Sequence, residues 1–301
     1  MKNSLGNSRI YGHIFAIFTI LIWGSTFSAT KALLDSFNSY EILVFRFLLA
    51  YVCLFAFYPR FLKPISLKEE ALFAICGLCG VCLYFLLENI ALNYTSASNA
   101  GVLVSISPIY TALLGFFIFK KRLGRFFLLG FVFALFGIII IVFQPIAFRA
   151  TNTFQINPFG DLLCILAGLS WAFYTIFLDK LFEIKKTANT LAITKKIFFY
   201  GIIFSSLTLF YGGVNPSIER FFVPQNAFNL LFLGIFASAV CYLSWGKSLK
   251  LLGTLKASAY LYTIPIVSIL VASITLNEPI TLDILIGSAL VLLGLFLSQC
   301  V

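Results

Sequence analysis

Charge is what this chain has least of. Of its 301 residues only 11% are Asp, Glu, Lys or Arg, while 61% are hydrophobic. A soluble globular chain is about a quarter charged, so a water-facing protein of this length would lack the polar residues to cover itself. Long polar connections are also missing. The longest, Ile146 to Phe159, separates two halves, and no segment reads as a soluble domain. Strict alternation of apolar and polar residues is absent too, which removes the closed-barrel alternative. Apolar runs of about 20 residues select helices, because lipid offers the backbone no hydrogen-bond partners. With one histidine, His13, and no run of ligating residues, no metal set, P-loop or catalytic triad can be assembled, and no cofactor is expected.

Seven cysteines are present, mostly inside apolar runs. The Cys76-x-x-Cys79-x-x-Cys82 spacing resembles a metal motif, but at helical spacing and with no histidine nearby it reads as small packing residues. The formal charge of +10 is not a nucleic-acid signal, since no basic stripe interleaved with aromatics exists. Its pattern is that of a membrane topology.

Ten spans are expected, near residues 12–34, 40–58, 70–93, 97–118, 126–145, 160–180, 194–212, 228–249, 255–276 and 282–299. With the N-terminus inside, only Lys31, Arg149 and Arg220 of the 21 Lys and Arg fall outside, and Arg46 lies within a span. The rest collect on the inner side, which predicts both termini in the cytoplasm of a cytoplasmic (inner) membrane protein. The first apolar run, Ile14 to Ala29, is read as a span rather than a cleaved leader, because Trp23 has a counterpart at Trp171.

The stretch from Ala91 to Arg122 and a later one, Ser248 to Pro279, share one layout. Overlaid without gaps, they place Pro108 on Pro265, Leu92 on Leu249 and Ala100 on Ala257. The same overlay puts Gly77 on Gly234, Gly130 on Gly287 and Gly137 on Gly294. Two units are therefore expected, residues 1–149 and 150–301, with five spans each. An odd number of spans sets the second unit in the opposite sense. The expected fold is an all-α membrane protein of two inverted five-helix repeats around a central cavity, a signature of secondary transporters.

Trp23-Gly24-Ser25-Thr26-Phe27, Phe45-Arg46-Phe47-Leu48-Leu49-Ala50, and Ala91-Leu92-x-Tyr94-x-Ser96-Ala97 leading to Pro108 resemble the drug/metabolite transporter superfamily, in its EamA-like branch. The Asn277-Glu278-Pro279 end of the ninth span fits as well. One departure stands out: Lys120-Lys121-Arg122 replaces the usual acidic residue closing the fourth span. The resemblance implies a cavity lined by spans 1, 3, 4, 6, 8 and 9, with 5 and 10 peripheral. It also implies an amino acid or amino-acid derivative as substrate.

Pro108 and Pro265 would kink their helices mid-membrane as hinges, with Ser105, Ser107 and Tyr110 around the first and Ser258, Tyr260, Tyr262 and Thr263 before the second. Packing alone would also account for the bends. Glu88 is the one carboxylate well inside a span, a functional candidate by default. It binds a substrate ammonium, takes up a proton, or forms an ion pair with Arg46. Lys195 and Lys196 either match Arg46 or snorkel to the surface, as Lys31 and Asp179 are expected to do. Trp23, Tyr84, Trp171, Tyr174 and Trp245 offer aromatic faces to a ring or a cation, and Asn89 adds hydrogen bonds. His13 reads as a surface residue.

The expected function is alternating-access transport of a small polar metabolite, an amino acid or a cation of the S-adenosylmethionine type. An anionic metabolite such as a nucleotide-sugar or phosphate ester is the alternative, and a membrane-embedded enzyme or a channel the rival classes. The expected partners are that substrate and the lipid bilayer, without nucleic acid. A monomer suffices, since the duplication supplies the second half.

Overall fold

A computed structural model describes residues 2–63, 66–120, 125–142, 158–185, 189–253, 257–258 and 260–299. All regular elements among them are helical. In chain order these are α1 (Lys2–Leu33), α2 (Ser39–Phe57), α3 (Leu67–Ala91), α4 (Ala97–Val104), α5 (Ser107–Phe119) and α6 (Phe127–Val142). Then follow α7 (Pro158–Ile184), α8 (Thr190–Gly212), α9 (Pro224–Leu252), α10 (Ile264–Thr275) and α11 (Leu282–Gln299). Among the described residues seven spans are long and apolar enough to cross a membrane, α4 and α5 counting as one. Three shorter apolar helices fall on the expected fifth, ninth and tenth spans. Lys121, Arg122, Arg149, Lys186, Lys256, Cys300 and the boundary at residue 149 lie outside the described residues.

The helix starts follow from their caps. Asn38 and Glu41 form a reciprocal capping box at α2, Ser66 caps α3, Ser96 caps α4 and Asn189 caps α8. Each side chain satisfies amide groups that lipid would leave bare.

The expected proline kinks take the form of helix breaks. The chain leaves α4 through a tight turn in which Ser105 N and Ile106 N donate to Val102 and Leu103. Pro108 then stands in the first turn of α5. Pro265 likewise stands in the first turn of α10, after a 3₁₀ turn at Tyr260–Thr263. A first-turn proline gives up an amide that would have no helical partner anyway.

α3 and α9 each carry a π-helical segment, Leu78–Leu83 and Phe232–Val240. In the repeat overlay the first falls inside the second. Wide turns of this kind free carbonyls for outside donors, and both are used. Tyr242 donates its hydroxyl to Gly80 O at 2.6 Å, and Trp23 donates Nε1 to Ala237 O at 2.9 Å. Gly80 and Ala237 are equivalent positions in the overlay. Each carbonyl thus takes its bond from an aromatic residue of the other half.

α6 and α11 pack on one another. A Cβ on Gly137 would sit 2.5 Å from Gly287 O, so only glycine allows these backbones to approach. Their outer faces are apolar, with Leu128, Phe136 and Leu282 exposed.

Candidate functional site

The three tryptophans of the chain meet in the middle of the bundle. Trp23 from α1 stands edge-on to Trp171 from α7, ring centres 5.2 Å apart, and tilted to Trp245 from α9 at 5.4 Å. Tyr84, Tyr174 and Tyr242 close the cluster around Trp171 at 5.1, 4.9 and 5.9 Å. These distances are those of favourable aromatic pairs, so the cluster is a packed wall.

Against it lies a small cavity lined by Trp23, Thr26, Phe27, Arg46, Tyr84, Phe85, Val104, Ser105, Ser107, Trp171, Leu261 and Ile264. The helix break before Pro108 supplies Ser105 and Ser107, and the break before Pro265 supplies Leu261 and Ile264. The cavity holds ≈ 30 Å³, about the share of one water.

Arg46 is the charge in that cavity. It is wholly buried. Its Nε donates to Ser238 Oγ at 2.7 Å, and its guanidinium lies 4.1 Å from the centre of the Phe85 ring. Nη1 and Nη2 have no hydrogen-bond partner among the described residues. Removing a guanidinium from water costs several kcal/mol unless it is paired. The planar fork left open is suited to bidentate capture of a carboxylate or phosphate.

Glu88 is 1% exposed, one turn along α3 from Tyr84, and its Oε1 has no hydrogen-bond partner among the described residues. It stands beside the Tyr84 hydroxyl and in the field of Arg46. The two do not form a direct ion pair. Their charges share a neighbourhood, and each keeps polar atoms open.

The remaining expected residues divide. Trp23, Tyr84, Ser105, Ser107 and Trp171 line the cavity, and Tyr174 and Trp245 support it from behind. Asn89 is turned to α2, where its Nδ2 donates to Ser39 O at 3.0 Å. Tyr260 is joined to the exposed His13, hydroxyl to Nδ1, at 2.6 Å. Tyr110 is half-buried and Tyr262 buried, and neither lines the cavity. Lys195 and Lys196 stand at a separate cavity, away from Arg46.

Tyr242, Ser238 and Phe85 were not expected from the sequence. The overlay that pairs Pro108 with Pro265 sets two of them, Phe85 and Tyr242, on one another.

The bundle end where α1 finishes and α2 begins is sealed by polar contacts. Glu278 accepts from Ala97 N at 2.8 Å, Ser98 N at 3.0 Å and Ser98 Oγ at 2.7 Å, capping α4. Arg220 grips Glu41 through Nη1 at 2.8 Å and Nη2 at 2.6 Å. Lys31 donates to Leu92 O and Thr95 O. The first two of these join the halves of the chain.

The EamA-like transporter family matches residues 10–143 and 158–299. The chain belongs to that family. An uncharacterized transporter of Archaeoglobus fulgidus is 30% identical over 290 residues, covering 95% of this chain and 96% of the relative. The uncharacterized transporter YyaM of Bacillus subtilis is 25% identical over 289 residues, covering 95% and 91%. A protein of known crystal structure shares the fold with a TM-score of 0.67 at 16% identity, over 97% of this chain and 98% of its own. The chain is a multi-pass membrane protein of a transporter family, an identity that makes an enzyme the weaker alternative.

Proposed function

We propose that this EamA-like protein is a secondary carrier of a small zwitterionic metabolite, an amino acid or amino-acid derivative. The observation that carries the reading is Arg46: a wholly buried guanidinium with both terminal nitrogens open, at a cavity walled by aromatics. A substrate carboxylate would bind that fork. Its ammonium group would be met by Glu88, whose Oε1 is open in the same charged neighbourhood, and its side chain would lie against Trp23 and Trp171.

Transport would proceed by alternating access of two five-helix units related as inverted repeats, residues 1–149 and 150–301. The reciprocal bonds at Gly80 and Ala237 support that relation. The breaks before Pro108 and Pro265 would act as hinges. The seal at Glu278 and Glu41 would be the outer gate, in a protein with both termini in the cytoplasm of a cytoplasmic membrane. Working as a monomer, it would need no second chain.

Counterflow into proteoliposomes tests this. Preloaded unlabelled amino acid should accelerate uptake of the labelled one, as in a carrier; linear, non-saturating flux would instead mark a channel. A second reading, an anionic metabolite such as a nucleotide-sugar or phosphate ester, is favoured by the fact that Arg46 lines the cavity and Glu88 does not. Under it Glu88 would be a structural partner of Arg46. A cation without a carboxylate would face Arg46 unfavourably, so S-adenosylmethionine would have to bind through its amino-acid end.

A further inference from the structure

We propose that the cavity beside Lys195 binds the headgroup of an anionic phospholipid from the leaflet on the lysine-rich side. Lys195, in the second turn of α8, is 2% exposed. Its Nζ donates to Tyr58 O at 2.5 Å and Arg60 O at 2.7 Å. The rings of Phe55, Tyr58 and Phe61 surround it at 5.1, 5.4 and 4.9 Å. Among the described residues no carboxylate pairs with it. An ammonium has three donors, so one N–H remains, on a buried charge without a counter-ion.

That charge borders a cavity of ≈ 200 Å³, room for roughly six waters. Among the described residues Glu70 is the one carboxylate in its lining, and both its oxygens are engaged. Lys196 takes Oε1, and the Tyr200 hydroxyl donates to Oε2 at 2.5 Å. The Lys196–Glu70 pair is neutral, so Lys195 leaves the cavity net positive. The rim is apolar and turned outward, with Phe61 69% and Phe199 46% exposed. An occupant therefore needs a negative head and an apolar tail. Basic pockets between spans on the cytoplasmic side suit such lipids. This cavity shares no lining residue with the central one, so the proposal stands apart from the substrate reading.

The test is native mass spectrometry of the purified protein offered equal phosphatidylglycerol and phosphatidylcholine with the same acyl chains. The wild type should retain phosphatidylglycerol by about fivefold, the preference expected of one lysine near an anionic surface. Lys195→Gln and Ala192→Phe should both bring the ratio near one. The second variant fills the cavity but keeps Lys195 on its carbonyls, so it separates loss of the site from loss of the fold. Equal retention of the two lipids by the wild type, or an unchanged preference in Ala192→Phe, overturns the proposal. So does displacement of the lipid by millimolar inorganic phosphate, which would mark a soluble-anion site.

Discussion

Arg46 donates its Nε to Ser238 Oγ at 2.7 Å, fixing α2 to the π-helical segment of α9 while the guanidinium keeps both terminal nitrogens open. One contact orients the group and the rest of it is left for a ligand. Arg46→Gln should therefore lower transport by about thirtyfold or more, the loss expected when one member of a buried charge pair is removed, about 2–5 kcal/mol. The melting temperature of the ligand-free protein should fall by much less than transport does, because Arg46 makes no direct ion pair, although its removal leaves Glu88 buried without the guanidinium's field. Arg46→Lys should fall between, since a point charge cannot reproduce the fork. Parallel loss of folded protein and transport in Arg46→Gln would make the residue structural.

Glu88→Gln keeps the shape and removes the charge. Uptake or coupling should be abolished at unchanged expression, read as initial transport rate per folded protein. Wild-type transport in this variant would leave Glu88 a structural role.

Pro108→Ala and Pro265→Ala place a good helix former in the first turn of α5 and α10, where the cost to folding is small. Transport should slow more than the yield of folded protein falls, because alanine lets each helix grow back through its break. Equal losses of both would count against the hinge reading.

The sequence announced these elements unevenly. Composition and apolar run length suffice for an all-helical membrane protein, since lipid forces every backbone group into a helix. The repeat reading offered Trp171 as the counterpart of Trp23 and marked Pro108 and Pro265 as special, and their helices do meet at one cavity. Missing was the geometry that helical periodicity does not encode. A π-helical segment has no composition of its own, so the bonds to Gly80 O and Ala237 O could not be read in advance. Arg46 and Glu88 lie at similar depth in neighbouring spans, which suggested an ion pair, but depth does not say which way a side chain turns. The Ser238 hydroxyl and the Phe85 ring claim Arg46 instead. Asn89 follows Glu88 directly and so points to another face of α3, toward Ser39.

Tyr242→Phe and Trp23→Phe each delete one of the reciprocal bonds between the halves. Hydrogen bonds between helices in a membrane average about 0.6 kcal/mol, so each should destabilise the protein only slightly. The effect on transport should be larger than that on stability in both variants, and greater in Trp23→Phe, whose ring also lines the cavity, than in Tyr242→Phe. Unchanged initial rates in Tyr242→Phe would speak against a part for these bonds in transport.

The central claim is that Arg46 and Glu88 together read a zwitterion, and thermal shift of the purified protein tests it most directly. The ligands are amino acids, S-adenosylmethionine, nucleotide-sugars and phosphate esters, assayed on the wild type, Arg46→Gln and Glu88→Gln. A ligand confined to the folded state stabilises it by about 2.7 kcal/mol at a hundredfold excess over Kd. The predicted result is stabilisation by a compound carrying both amine and carboxylate, lost in either variant. Stabilisation only by phosphorylated compounds, lost in Arg46→Gln and kept in Glu88→Gln, would contradict it and make this protein an anion carrier.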